Sequence, residues 1–192
     1  MGDTVQNDLT EPYLLSFGTI IHWFARYETL IESILAAISG ADATAIKLLT
    51  SDLNTTQKRK TLLRLLRHRA VPLDQIDQIQ SYLEVLHTYT QLRDDIAHSI
   101  WVEGEPANMV WPAWLKAGPR TAIKPKRDLG GGQKAFVEEE GEKITYTTEG
   151  LKEIIGILES NFLAFEKYIG EIGINLPPEK RSLQASPWRP AP

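Results

Sequence analysis

The sequence of 192 residues contains no cysteine, which excludes disulfides, thiol nucleophiles and thiolate metal sites. Its four histidines lack the H-E-x-x-H spacing that binds zinc, and we expect neither a metal nor a cofactor. No apolar stretch approaches the roughly 20 residues that span a bilayer. The N-terminal residues also lack the basic and apolar run of a secretory signal. We therefore expect a cytoplasmic protein without a membrane segment.

The sequence also lacks a large excess of positive or negative charge. The formal net charge is −4, which disfavours a protein coated with nucleic acid but leaves room for a local basic face. Hydrophobic residues make up 42% of the chain, enough at this length to build a core without covalent staples. The run Gly130-Gly131-Gly132 lacks the spacing of a phosphate-binding P-loop, and we interpret it as a flexible turn.

Apolar spacing predicts helices in the first half of the chain. A first helix should open at Pro12 and close at Ser39-Gly40, because glycine commonly follows a helix end. A short helix fits residues 41–50. Another should begin near Asn54, Thr55 or Thr56, all good N-cap types, and end before Pro72.

The second half combines two helices with an insertion and a tail. A long helix is predicted from about Asp74 to about Trp101, and a final one begins after Thr147 or Thr148. Residues 102–147 should form a loop with a strand over Met109–Trp114 and a β-hairpin over Phe136–Thr147. We expect one domain over residues 1–175, all-α apart from this insertion, followed by a disordered, proline-rich tail over 176–192.

The long helix carries two apolar ridges. One contains Arg93, and its other members are Ile76, Ile79, Leu83, Leu86, Thr90, Ala97 and Ile100. The other consists of Tyr82, Val85, Tyr89, Leu92 and Ile96. If one ridge faces the protomer's own core, the second is left to form a homodimer. Alternatively, the helix lies centrally in a bundle and both ridges are internal.

Arg93 is unusual because it lies on a ridge of aliphatic residues, where a desolvated charge needs a partner. Glu28, on the apolar face of the first helix, is one candidate, and a buried ion pair between them is the structural interpretation. Asp94 and His98 are i and i+4 neighbours, so the aspartate should orient the imidazole. Arg93 and His98, in contrast, lie about 140° apart around an ideal helix.

The segment Arg93-Asp94-Asp95-Ile96-Ala97-His98 resembles the signature of the HEPN superfamily (higher eukaryotes and prokaryotes nucleotide-binding), an arginine and a histidine separated by four to six residues. The runs Phe24-Ala25-Arg26-Tyr27-Glu28, Gln57-Lys58 and Ser99-Ile100-Trp101 are similar to one bacterial branch. The resemblance implies an all-α bundle of four to five helices that commonly dimerises. Many members are metal-independent endoribonucleases of defence and toxin-antitoxin systems, whereas others bind RNA or hold protein complexes together.

The resemblance also implies roles for individual residues. His98 would act as general acid or base on the ribose 2′-hydroxyl or the leaving oxygen, and Arg93 would stabilise charge on the phosphate. Asp94 and Glu28 would orient them. Two protomers would bring two copies of Arg93 and His98 into one cleft at a homodimer interface. A separate antitoxin, such as a nucleotidyltransferase, would be a partner.

Basic side chains supply candidate RNA contacts. Lys60, Arg64 and Arg67 form one helical stripe, and further cations lie between Lys116 and Arg127. Contacts from these residues to phosphates would be sequence-independent and salt-sensitive. The alternative is a solvated face that balances the acidic remainder. Three tryptophans, Trp101, Trp111 and Trp114, have two interpretations. They stack on RNA bases, or they belong to the core or an interface.

Overall fold

The computed structural model describes residues 9–98, 101–104, 109–112 and 146–176. Most of these residues are helical, which confirms the predicted predominantly helical class. Six helices and two short strands follow in the order α1 (Glu11–Ser39), α2 (Ala43–Thr50), α3 (Thr55–His68), α4 (Leu73–Thr88), α5 (Thr90–His98), β1 (Trp101–Gly104), β2 (Met109–Pro112) and α6 (Thr148–Glu171).

Local capping bonds explain where several helices begin and end. Asn54 caps α3 by accepting a bond from the Gln57 amide, and the Gln57 side chain accepts from the Asn54 amide, each at 2.9 Å. The Thr147 hydroxyl accepts from the Gly150 amide at 3.0 Å and caps α6. Gly40 follows α1 with a φ of 74°, a left-handed backbone that favours glycine. These predicted helix ends are confirmed.

The prediction of one helix from Asp74 to Trp101 is wrong, because the helix is interrupted at Tyr89. The Thr88 and Thr90 hydroxyls on either side donate to carbonyls four residues earlier, at 3.0 and 3.2 Å. Hydroxyl bonds of this kind compete with the backbone ladder and bend helices. The chain therefore has six helices among its described residues rather than four to five, and Trp101 begins a strand instead of ending a helix.

The two strands form a small antiparallel sheet. Trp101 lies opposite Pro112, and Gly104 opposite Met109, so the strand predicted from Met109 is confirmed as far as Pro112. Val110 also exchanges two backbone hydrogen bonds with Tyr146, at 2.8 and 2.9 Å. The predicted hairpin over Phe136–Thr147 is not seen, since residues 136–145 lie outside the described residues. The predicted tail beyond Leu176 lies outside them as well.

The chain divides into two compact units, each made of two stretches. Unit 1 contains Met1–Ala25 and Glu84–Asn161, and unit 2 contains Arg26–Leu83 and Phe162–Pro192. Buried apolar side chains fill unit 1, among them Tyr13, Phe17, Ile20, Phe24, Leu86, Leu92, Trp101, Val110, Leu151 and Leu158. The prediction of a single domain over residues 1–175 stays a prediction.

Unit 2 has its own apolar core. Its buried side chains come from α1, α3, α4 and α6, and include Tyr27, Ile31, Ile34, Leu62, Leu66, Ile76, Ile79, Leu83, Phe162, Phe165 and Ile169. The Tyr27 and Phe162 rings meet edge to face with centroids 5.2 Å apart, a favourable aromatic geometry. Within the described part of the chain, none of the helices has the length and apolar character needed to cross a membrane.

Candidate functional site

The buried face of α5 differs from the predicted one. In α4 the predicted ridge is buried as far as Leu86, and an unbroken helix would bring Arg93 into line with it. In α5 the buried side chains are instead Leu92 and Asp95. The interruption at Tyr89 shifts the helical phase, so Asp95 takes the core-facing place predicted for Arg93.

Arg93 lies at the edge of this helix and pairs with its neighbour. Its Nη1 donates to Asp94 Oδ1 at 3.0 Å, and the two side chains are 34% and 46% exposed. Arg93 Nε is buried and has no hydrogen-bond partner within the described residues. The guanidinium is therefore partly open to solvent, although its Nε is not.

His98 is the last residue of α5, and its side chain is exposed. The imidazole therefore lies at the carbonyl end of the helix, which carries partial negative charge. The spacing predicted that Asp94 contacts His98, but no hydrogen bond joins them in the described structure. Arg93 and His98 share one short helix, and the orienting role of Asp94 stays a prediction.

Asp95 is the charged residue of the motif that sequence reasoning missed. Its side chain is only 2% exposed, and its Oδ1 accepts a bond from Gln91 Nε2 at 2.8 Å. The Asp95 backbone carbonyl accepts a bond from Trp101 Nε1 at 3.2 Å. Burial raises the pKa of the Tyr146 hydroxyl, and the charge of Asp95 raises it further. Gln91, four residues before Asp95, is the sequence signal that points to this bond.

Trp101 belongs to the core of unit 1. Its ring packs against Phe17 with centroids 4.5 Å apart, and against Tyr146 with centroids 5.7 Å apart. The core interpretation is therefore confirmed for Trp101, and stacking on bases is not available to it. The side chains of Trp111 and Trp114 lie outside the described residues.

Glu28 takes part in a polar cluster of unit 2. Its Oε1 accepts a bond from the Thr55 hydroxyl at 2.6 Å, and its Oε2 accepts from Lys58 Nζ at 3.2 Å. The structural interpretation paired Glu28 with Arg93, but each of these residues has a different ionic partner. The cause is Lys58, whose long side chain reaches inward from α3 to the carboxylates of α1.

Lys58 is the centre of this cluster, and the sequence analysis did not identify it. Its Nζ also donates to Glu32 Oε1 at 2.9 Å, and its side chain is 7% exposed. Burial lowers the pKa of Lys58, but hydrogen bonds and charges from Glu32 and Glu28 outweigh this, so the net shift is upward. The i, i+4 spacing of the two glutamates on α1 is the signal that points to a shared cation.

The predicted RNA-binding stripe is fully on the surface. Lys60, Arg64 and Arg67 are all exposed on α3, within an arc of about 60° around the helix. In the part of the chain that the structure describes, none of them forms an ion pair. The stripe is therefore a line of uncompensated positive charge.

Described residues contain no group of three histidine, aspartate or glutamate side chains that could hold a metal ion. For chemistry, α5 supplies the imidazole of His98, the guanidinium of Arg93 and the partly exposed carboxylate of Asp94. Comparison of the chain with protein-family models, with curated proteins and with solved structures finds no match in any of the three.

Proposed function

We propose that this chain is a HEPN-like, metal-independent endoribonuclease that uses Arg93 and His98. The observation that carries the proposal is the inward turn of Asp95, which leaves Arg93 half exposed and His98 exposed on the same helix. An imidazole titrates near neutral pH, and a guanidinium presents a fixed fork to phosphate oxygens. These two groups can supply the proton transfer and the charge stabilisation that phosphodiester cleavage uses.

The proposed reaction uses the RNA's own nucleophile. His98 accepts the proton of the ribose 2′-hydroxyl while water protonates the leaving 5′-oxygen, or His98 donates a proton to the leaving 5′-oxygen while water takes the 2′-hydroxyl proton. The 2′-oxygen bonds to the adjacent phosphorus as the bond to the 5′-oxygen breaks, which leaves a 2′,3′-cyclic phosphate and a 5′-hydroxyl. Arg93 stabilises the charge that develops on the phosphate oxygens.

The proposed enzyme is a homodimer. Five residues of an ideal helix separate Arg93 from His98 by about 140°, so one helix does not aim both side chains at one phosphate. A second copy of α5 across a twofold axis supplies the missing group. Tyr89 and Ile96, on the ridge that does not contain Arg93, remain only half-buried. We further propose a cytoplasmic protein in a bacterial defence or toxin-antitoxin setting, with a nucleotidyltransferase antitoxin as a partner to test.

The decisive experiment incubates the full chain with mixed RNA in EDTA. Wild-type protein should cleave, and His98→Ala and Arg93→Ala should lose cleavage by at least about 100-fold, the scale of a lost acid–base or charge-stabilising group. His87→Ala is the matched control because His87 is also exposed, on α4. RNA left intact by the wild type, or cleaved equally by all variants, rules out the proposed enzyme.

A second candidate is a noncatalytic RNA-binding module, favoured by the exposed α3 stripe, whose three cations form no ion pair with any residue that the structure describes. Neutralising Lys60, Arg64 and Arg67 together with glutamine should reduce the slope of log affinity against log salt by about 2 for single strands. A control with the same charge change replaces the exposed Lys47, Lys152 and Lys167. Salt-sensitive binding without cleavage supports the module, whereas equal slopes for both triple variants exclude the stripe.

A further inference from the structure

Among the described residues, the guanidinium of Arg93 has one carboxylate partner, which is its neighbour in sequence. Adjacent helical residues diverge by about 100°, so a bond between residues i and i+1 requires both side chains to bend sideways. Asp94 nevertheless accepts from Arg93 Nη1 at 3.0 Å. Half-exposed pairs of this kind are weak, because solvent screens them and side-chain entropy opposes them.

A phosphate group is a stronger ligand for this guanidinium than Asp94 is. Arginine has five N–H donors in a planar fork, and a phosphate can accept two of them in parallel. Asp94 uses one of these donors in this structure, at Nη1, and the Arg93 side chain is 34% exposed. Solvent reaches both side chains of the pair, so an incoming anion can replace the carboxylate.

We propose that Asp94 is a displaceable counter-ion, which binds Arg93 in the free protein and releases it to a phosphate of bound RNA. This inference rests on the proposed function for the identity of the ligand, but it concerns binding and not cleavage. Asp94 acts through Arg93 and is a positioning residue. Its charge lowers RNA affinity by competing with the phosphate for the guanidinium.

The test measures binding of a single-stranded RNA whose riboses are all 2′-O-methylated, since this probe lacks the hydroxyl that cleavage needs. Fluorescence anisotropy at low salt compares the wild type with Asp94→Asn, Asp94→Glu, Arg93→Ala and the double variant Arg93→Ala/Asp94→Asn. Asp94→Asn should bind about two- to fivefold tighter, the range expected for releasing an exposed ion pair. Asp94→Glu keeps the charge and should bind like the wild type.

The double-mutant cycle separates competition at Arg93 from general repulsion. In the Arg93→Ala background, Asp94→Asn should change the affinity little, because there is no guanidinium to release. Asp77→Asn, at an exposed aspartate of α4, is the control for the change in charge. An equal gain in the Arg93→Ala background, an equal gain from Asp77→Asn, or weaker binding by Asp94→Asn overturns the proposal.

Failure of the inference and failure of the proposed enzyme give different results. If the cycle shows coupling between Arg93 and Asp94 but unmodified RNA stays intact in EDTA, the counter-ion stands and the nuclease is excluded. If RNA is cut but the cycle shows no coupling, the counter-ion alone is excluded. Absence of any RNA binding by the wild type at low salt overturns both.

Discussion

Lys58 in unit 2 and Arg93 in unit 1 are both cations bonded to carboxylates. They differ in how deeply they are buried and in how many carboxylates they bond. Lys58 is 7% exposed and bonds two glutamates, each of which also accepts from a threonine hydroxyl. Arg93 is 34% exposed and bonds one aspartate among the described residues. A closed network, meaning one that is buried and hydrogen-bonded throughout, stabilises the fold. An open pair, meaning one that solvent reaches, can still bind a ligand.

This difference gives each cluster its own expected response to substitution. Removing one partner of a closed, buried network leaves charge without compensation and costs stability. Removing one partner of an open surface pair costs little stability, so its effect should be visible in binding and activity.

The largest effect is expected for Lys58→Met. Without the ammonium group, the Glu28 and Glu32 carboxylates lose a shared cation in a buried site, and unfolding should become easier by about 3–5 kcal/mol. Urea denaturation followed by circular dichroism measures the change. Lys60→Met, two residues along the same helix and exposed, should stay within about 0.5 kcal/mol of the wild type. Similar losses for the two variants would contradict the closed network.

A smaller loss is expected for Asp95→Ala. The buried carboxylate accepts from Gln91, and removing a hydrogen bond to a charged group costs about 1–3 kcal/mol. Asp94→Ala, at the adjacent but half-exposed position, should cost at most about 1 kcal/mol. Denaturant unfolding of the two variants decides the matter. If Asp94→Ala were the more damaging change, Asp94 and not Asp95 would face the core.

High pH should lower the free energy of unfolding through one group in each unit, Lys58 in unit 2 and Tyr146 in unit 1. The pKa values of Lys58 and Tyr146 are raised on folding, from ordinary values of 10.5 and 10.0, so the unfolded chain releases these protons first. Their contributions are complete below about pH 10 and decline as the pH rises through the folded-state values. Urea titrations between pH 8 and 11 should show this fall, and Tyr146→Phe should make it shallower. Stability that is level or rising over this range would contradict both shifts.

The smallest change in stability is expected for Arg93→Ala. A half-exposed pair contributes about 0.2–1 kcal/mol, so the variant should unfold almost like the wild type. If the proposed enzyme is correct, the same variant loses RNA cleavage. A loss of more than about 3 kcal/mol would instead assign Arg93 a structural role like that of Lys58.

Local signals predicted the helices well. Asn54, Gly40, Pro72 and Thr147 marked helix boundaries because capping and φ preferences act over a few residues. The alternating steps of four and three in α6 predicted its buried face, which the burial of Leu151, Leu158, Phe162, Phe165 and Ile169 confirms. These patterns involve residues a few positions apart, so they can be recognised without knowing which helix packs against them.

The candidate site was harder to predict. One helical phase was carried from Ile76 through Arg93, and this failed because the Thr88 and Thr90 hydroxyls accompany a break at Tyr89. A shift of phase at one residue changes which side chain of the motif is buried. Asp95 is therefore buried where the pattern placed Arg93. The pairing of Glu28 with Arg93 failed for a different reason, because Lys58 binds the carboxylates of α1.

The amino-acid sequence by itself determined that this protein is mainly helical, where most helices begin and end, and which residue types are available for chemistry. Only the tertiary structure decided that Lys58 and Asp95 are buried while Arg93, His98 and the α3 stripe meet solvent. The physical reason is the distance along the sequence over which each interaction acts. Helix formation follows from neighbouring residues, whereas the burial of a charge depends on a distant partner that compensates it.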